Sequence, residues 1–174
     1  MNNSERRKSI EQKMREFHTA FGHPCGTLID IQSQETFELR RKLVEEEVEE
    51  LLEALELVRK HSTIENLTLL ADGIADSVVV IVGTAVAFGI PFDKVFEEVH
   101  KSNMAKLAPD GKPIYREDGK ILKPPGWTMP NIWSIIFKKF CEDKDEKLKK
   151  QVLSSACRGI TWDDPTDSES PAGM

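Results

Sequence analysis

Residues 67–90 read LTLLADGIADSVVVIVGTAVAFGI, and Asp72 and Asp76 are the only charged residues among them. A segment that is apolar nearly all round is a buried helix. Spacing of four puts the two aspartates one turn apart on one face of that helix. An ionised carboxylate in such a place is costly unless it is paired or bound to metal. The stretch therefore predicts the central helix of an all-α bundle, and it predicts a partner for its two acids.

Upstream, residues 45–53 read EEEVEELLE. On a helix Glu46 and Glu50 lie four residues apart and Glu47 and Glu50 three apart, so their carboxylates crowd one face. Each like-charged pair costs about 0.2–0.5 kcal/mol. Taken alone, the run reads as a solvated face, since Glu is a good helix former. Taken together with Asp72 and Asp76 it reads as a place for cations. An all-oxygen set of this kind suits Mg²⁺ or Mn²⁺, which keep one or two carboxylates, water and substrate phosphates as ligands.

The chain has 174 residues, which favours one domain with a well-buried core. Its 24 basic and 30 acidic residues, with a pI near 5.3, leave no electrostatic footprint for nucleic acid. The opening MNNSERRKSIEQK lacks the apolar segment of a signal peptide. The run from Ser77 to Ile90 is too short to span a bilayer once the aspartates are excluded. No nucleic-acid or membrane partner is therefore expected. Cys25, Cys141 and Cys157 are few, odd in number and widely spaced, which fits neither a disulfide framework nor a zinc knuckle. A cytoplasmic, reducing compartment is the expectation.

Ser9 and Gln12 form a capping box for a first helix that carries Ile10, Met14, Phe17 and Phe21 and ends at Gly22-His23-Pro24. Cys25 to Ser33 reads as a loop. A long helix is predicted from about Gln34 to Lys60. Ser62 and Glu65 suggest a capping box for the apolar helix, which should end near Gly89. Pro91 suits the first turn of a fourth helix. Two DGK turns then flank a short alternating stretch, the pattern of a hairpin-like loop near 108–127. A last helix is predicted over about 130–156, and the polar tail 157–174 reads as disordered. The organisation expected is a single all-α domain over 1–156, its core at about 9–127, with four to five helices.

The ordered blocks LVEEEVEELLEAL (43–55), LADGIADSVVVIVGTAVAFGI (70–90), VFEEVHKSNMAKL (95–107) and DGKILKPPGW (118–127) resemble the MazG-like all-α nucleoside triphosphate pyrophosphohydrolases, in particular their single-domain bacterial and phage branch. The resemblance runs from about Arg15 to Trp127. It implies a homodimer or homotetramer that binds Mg²⁺ or Mn²⁺ and cuts a nucleotide between its α and β phosphates. The family's EExxE pattern falls on Glu46, Glu47 and Glu50. Its ExxD pattern is matched only at Asp76, because the position three before it is Gly73; Asp72 is the substitute. The resemblance also gives Asn103 and Lys106 contacts to metal or phosphate. It thus implies Glu46, Glu47, Glu50 and Asp76 as catalytic residues, the same four with Asp72 as metal ligands, and Asn103 and Lys106 as substrate-binding residues.

The phage branch adjusts deoxynucleotide pools, and conversion of dGTP to dGMP is the leading specific reaction implied. Two other classes stay open on the residues alone. Glu97 and His100 form one Glu-x-x-His, where a carboxylate-bridged di-iron bundle needs two. A non-enzymatic helical oligomerisation or adaptor module would leave a plain acidic surface. His18 and His23, beside Phe17 and Phe21, read as packing residues, as do Trp127 and Trp133. Lys112, Lys120 and Lys123 read as solvated unless their loop folds over the site.

Overall fold

The computed structural model describes residues 7–26, 29 and 32–143. Five α-helices make up the described fold: α1 (Ile10–Phe21), α2 (Gln34–Lys60), α3 (Ile64–Ala87), α4 (Phe92–Met104) and α5 (Ile132–Asp143). Among the described residues there is no strand. The 108–127 segment instead carries two isolated antiparallel bridges, Leu107 with Pro113 and Tyr115 with Ile121.

Local chemistry sets the ends. Ser9 caps α1 by accepting from Gln12 N while Gln12 reaches back to Ser9 N, and Gly22 ends the helix at φ +68°, a left-handed conformation suited to glycine. Ser33 caps α2 through Thr36 N. The cap of α3 is Thr63 rather than Ser62: its hydroxyl accepts from Asn66 N, and Asn66 Nδ2 donates to Leu57 O and His61 O across the turn. α5 starts two residues later than Pro130, with Asn131 Oδ1 accepting from Ser134 N. The helix predicted beyond Asp143 and the tail fall outside the described residues.

α2 and α3 form the most extensive helix pair, α1 lies on α3, and α4 touches α1, α3 and α5. The α2–α3 pair is antiparallel and held at four levels. Arg40 donates to Val80 O and Thr84 Oγ1, Ser77 Oγ donates to Glu47 O, Gly73 packs on Leu51, and Asn66 meets Leu57. The buried centre is the second half of α3, with Val82, Val86 and Ala87 at its heart. His18 is 2% exposed and lies against Gly83, where Arg40 also ends.

Cover for much of α3 by neighbouring helices, those of another subunit included, is the expectation, and within the protomer burial is confined to its second half. Within the chain, the first half of α3 has α2 as its main cover, so Ile64, Leu67, Leu69 and Ile74 stay exposed, as do Asp72 and Asp76. By length and composition α3 could cross a membrane, but its second half is the protein's own core.

Candidate functional site

Carboxylates from α2 and α3 gather on one side of their shared seam. Glu47 is the best enclosed of them. Its carboxyl is held above the ordinary range, first by desolvation and then by the charges of Glu50, Asp76, Glu46 and Asp72. Of the five residues proposed from the sequence as metal ligands, the other four are thus brought within electrostatic reach of Glu47. Lys42 approaches Glu46 at 3.5 Å, the one salt bridge to this group among the described residues. A cleft of about 320 Å³ adjoins it, lined by Glu50, Glu53, Asp72 and Asp76 over a floor of Ala54, Leu57, Leu69 and Gly73.

Two features of this cleft correct the linear reading. Glu53 lines it, although it lies outside the EExxE pattern; its spacing of three from Glu50 and seven from Glu46 was the signal, since those intervals share a helix face. Gly73 occupies the place where the ExxD pattern has a glutamate. A Cβ there would stand 3.3 Å from Leu51 Cα. The backbone of Leu51 approaches closely here, so an acid at 73 would push the pair apart. Asp72, one residue earlier, faces the cleft instead.

The donor set is all oxygen and nearly unneutralised, which fits a hard divalent cation. Among the described residues no three of its members, nor any other acids, histidines or cysteines, stand close enough to hold an ion as they are. Holding an ion would need these largely exposed side chains to change rotamer.

Asn103 and Lys106 lie at the end of α4, joined to each other by Lys106 Nζ donating to Asn103 Oδ1 at 2.8 Å. They form a cluster with Trp127, whose ring centroid lies 5.6 Å from Lys106 Nζ. His18 takes the packing role read from the sequence: its Nδ1 lies 2.6 Å from Pro24 O and burial pushes its pKa down. The one Glu-x-x-His, Glu97 and His100, sits on α4 and not on the two helices that carry the acidic group.

A family model described as phosphoribosyl-ATP pyrophosphohydrolase matches residues 14–103. The chain belongs to the phosphoribosyl-ATP pyrophosphohydrolase family. That family is related to the MazG-like enzymes that the sequence blocks resemble, and membership makes the chain a pyrophosphohydrolase acting on a nucleotide phosphoanhydride. The matched span takes in all five carboxylates and Asn103 and stops before Lys106. A comparison with curated proteins finds no match.

Proposed function

We propose that the protein is a MazG-like nucleoside triphosphate diphosphatase of the single-domain branch, converting a nucleoside or deoxynucleoside triphosphate to the monophosphate and pyrophosphate. The observation that carries this reading is the convergence of Glu46, Glu47, Glu50, Asp72 and Asp76 on one seam inside the matched span. Glu46, Glu50 and Asp76 would be the principal ligands of Mg²⁺ or Mn²⁺, with Asp72 an additional one. When bound, such an ion supplies charge neutralisation for the triphosphate and activation of water.

The chain's own groups account for the rest. Glu47, enclosed at the centre of the cluster, is a further ligand or the group that orients the attacking water and takes its proton. Asn103 and Lys106 offer an amide and an ammonium to the phosphate oxygens. Asp76 and Asn103 stand equally far, about 16 Å by helical rise, from the turn joining α3 to α4. The exposed apolar residues along α2 and the first half of α3 make a homodimer or homotetramer the expected assembly, since a monomer rarely leaves so large a patch open. A monomer by light scattering at micromolar concentration, still fully active, would refute that assembly.

The leading specific substrate is dGTP. The test is a panel of the eight common ribo- and deoxynucleoside triphosphates plus phosphoribosyl-ATP, which the family description names, assayed with Mg²⁺ or Mn²⁺ and with EDTA. Monophosphate and pyrophosphate, formed only with metal and fastest from dGTP, are expected. Orthophosphate and a diphosphate as products would sink the reading.

A further inference from the structure

Trp127, which lies beyond the matched span 14–103, is stapled to the end of α4. Its indole Nε1 donates to Ser102 O at 2.9 Å, and the buried Ser102 returns a bond from Oγ to Thr128 O at 3.1 Å. The turn Pro124–Trp127 presents the ring: Trp127 N donates to Pro124 O at 3.0 Å, and Gly126, at φ +83°, supplies the conformation such a turn needs at its third position.

In a continuing α-helix Ser102 O would accept from Lys106 N. Here Lys106 N donates to Asn103 O at 3.2 Å, and Leu107 N to Met104 O at 3.2 Å. The chain therefore leaves α4 through i→i+3 turns, and Ser102 O is left for the indole. Such turns eclipse side chains three residues apart, and Lys106 Nζ accordingly donates to Asn103 Oδ1 at 2.8 Å. The same ammonium stands over the indole, 5.6 Å from its centroid, and the ring attracts it.

This pair has a definite polarity. An ammonium only donates, so the Asn103 amide must turn its oxygen to Lys106, which leaves both hydrogens of Nδ2 for another partner. A metal ion needs the oxygen, and at Oδ1 it would meet the Lys106 charge at close range. A phosphate oxygen instead finds N–H donors from both residues.

We propose that Trp127 is a positioning residue for this pair: by taking Ser102 O it holds the turn that sets Lys106 against Asn103 Oδ1, so that Asn103 meets the substrate as an N–H donor to a phosphate oxygen and is not a metal ligand. The inference rests on the reading of Asn103 and Lys106 as phosphate contacts, and it adds to that reading a residue of the 118–127 segment.

The test is steady-state kinetics with Mg²⁺ on the best triphosphate of the panel, together with inhibition by inorganic tripolyphosphate, for Asn103→Asp, Lys106→Met, Trp127→Phe, Trp127→Met and the loop control Lys120→Met. KM and the inhibition constant do not depend on how much of a variant is folded, so a purely structural loss leaves them unchanged. Lys106→Met should raise both about tenfold, the loss of one charge-assisted contact. Trp127→Phe and Trp127→Met both lack the N–H, with the ring kept in one and lost in the other. Each should raise both constants about threefold to tenfold, keep kcat within about threefold and add little to Lys106→Met in the double variant. Lys120→Met should change neither constant. Asn103→Asp should raise both about tenfold or more, while the Mg²⁺ concentration that half-saturates the thermal shift of nucleotide-free protein stays within about twofold. If Asn103→Asp lowers that Mg²⁺ concentration and leaves tripolyphosphate inhibition intact, Asn103 is a metal ligand and the donor assignment is wrong. If Asn103→Asp and Lys106→Met raise both constants but neither Trp127 variant does, the positioning role is wrong and the phosphate reading stands. If no variant moves either constant, the phosphate reading fails as well. Full additivity of Trp127→Phe and Lys106→Met would also overturn the positioning role.

Discussion

Replacing Glu47 with glutamine separates a cation site from a solvated acidic face. Four carboxylates, those of Glu50, Asp76, Glu46 and Asp72, bear on Glu47 and raise its proton affinity. If each repulsion is worth about 0.2–0.5 kcal/mol, removing the charge at 47 relieves about 1–2 kcal/mol in metal-free protein. For a chain of this size that is a rise in Tm of about 2–8 °C. The pH dependence has a definite sign. Because the folded state holds this proton more tightly than the unfolded chain, the associated stability is full at acid pH and is lost as pH rises through the raised value. The glutamine variant lacks that loss. Added Mg²⁺ at about one hundred times its dissociation constant should stabilise the wild type by about 2.7 kcal/mol, and the variant much less. The assay is thermal melting by circular dichroism, in EDTA and then across a Mg²⁺ series. A variant that melts lower than wild type in EDTA and keeps the full Mg²⁺ increment would refute the reasoning.

Glu50→Gln and Asp76→Asn should each lose roughly a hundredfold or more in turnover while retaining the fold, whereas Glu45→Gln, at an exposed position paired with Arg41 at 2.6 Å, should not; wild-type rates in all three would make the acidic run a surface feature. Gly26→Ala sets a methyl 2.6 Å from Gly89 N and 2.8 Å from Ala87 O; both are backbone atoms, so about 1–3 kcal/mol should be lost, and an unchanged melting temperature would contradict the close crossing. His18, kept neutral chiefly by burial with Arg40, His23 and Arg15 adding to the effect, gives stability that is present above its ordinary value of 6.5 and lost as pH falls below it. His18→Gln should flatten Tm between neutral and mildly acid pH; an unaltered slope would exclude His18 as the cause.

Helix limits were legible wherever a local device sets them. Ser9 with Gln12, Gly22 and the run ending at Lys60 all stand where spacing put them. The cap of α3 was misplaced by one residue because Thr63 is also a capping type, and the choice rests on the bonds Asn66 makes across the turn. The all-α architecture followed from periodicity. Which part of α3 its own chain covers was not legible: apolarity says that a face needs a cover, not that the same chain supplies it, and Asp72 and Asp76 lie on the part of α3 that the protomer leaves open. The five carboxylates could be nominated by spacing and resemblance, but Glu53 and the reason for Gly73 needed the contact between two helices. The staple between Ser102 and Trp127 joins residues 25 apart through an indole, and no local pattern announces it.

The four-level register between α2 and α3 limits how the gene can change length. From Arg40 against Thr84 to Leu57 against Asn66, each contact lies at a nearly matched distance from the turn at 61–63. An insertion in that turn leaves the levels intact. A single residue deleted inside either helix would rotate every side chain on one side of the deletion by about 100° and shift it by 1.5 Å, taking a carboxylate row out of alignment with its neighbour. Tolerated insertions and deletions should therefore fall in the turn, or come as compensating changes in both helices.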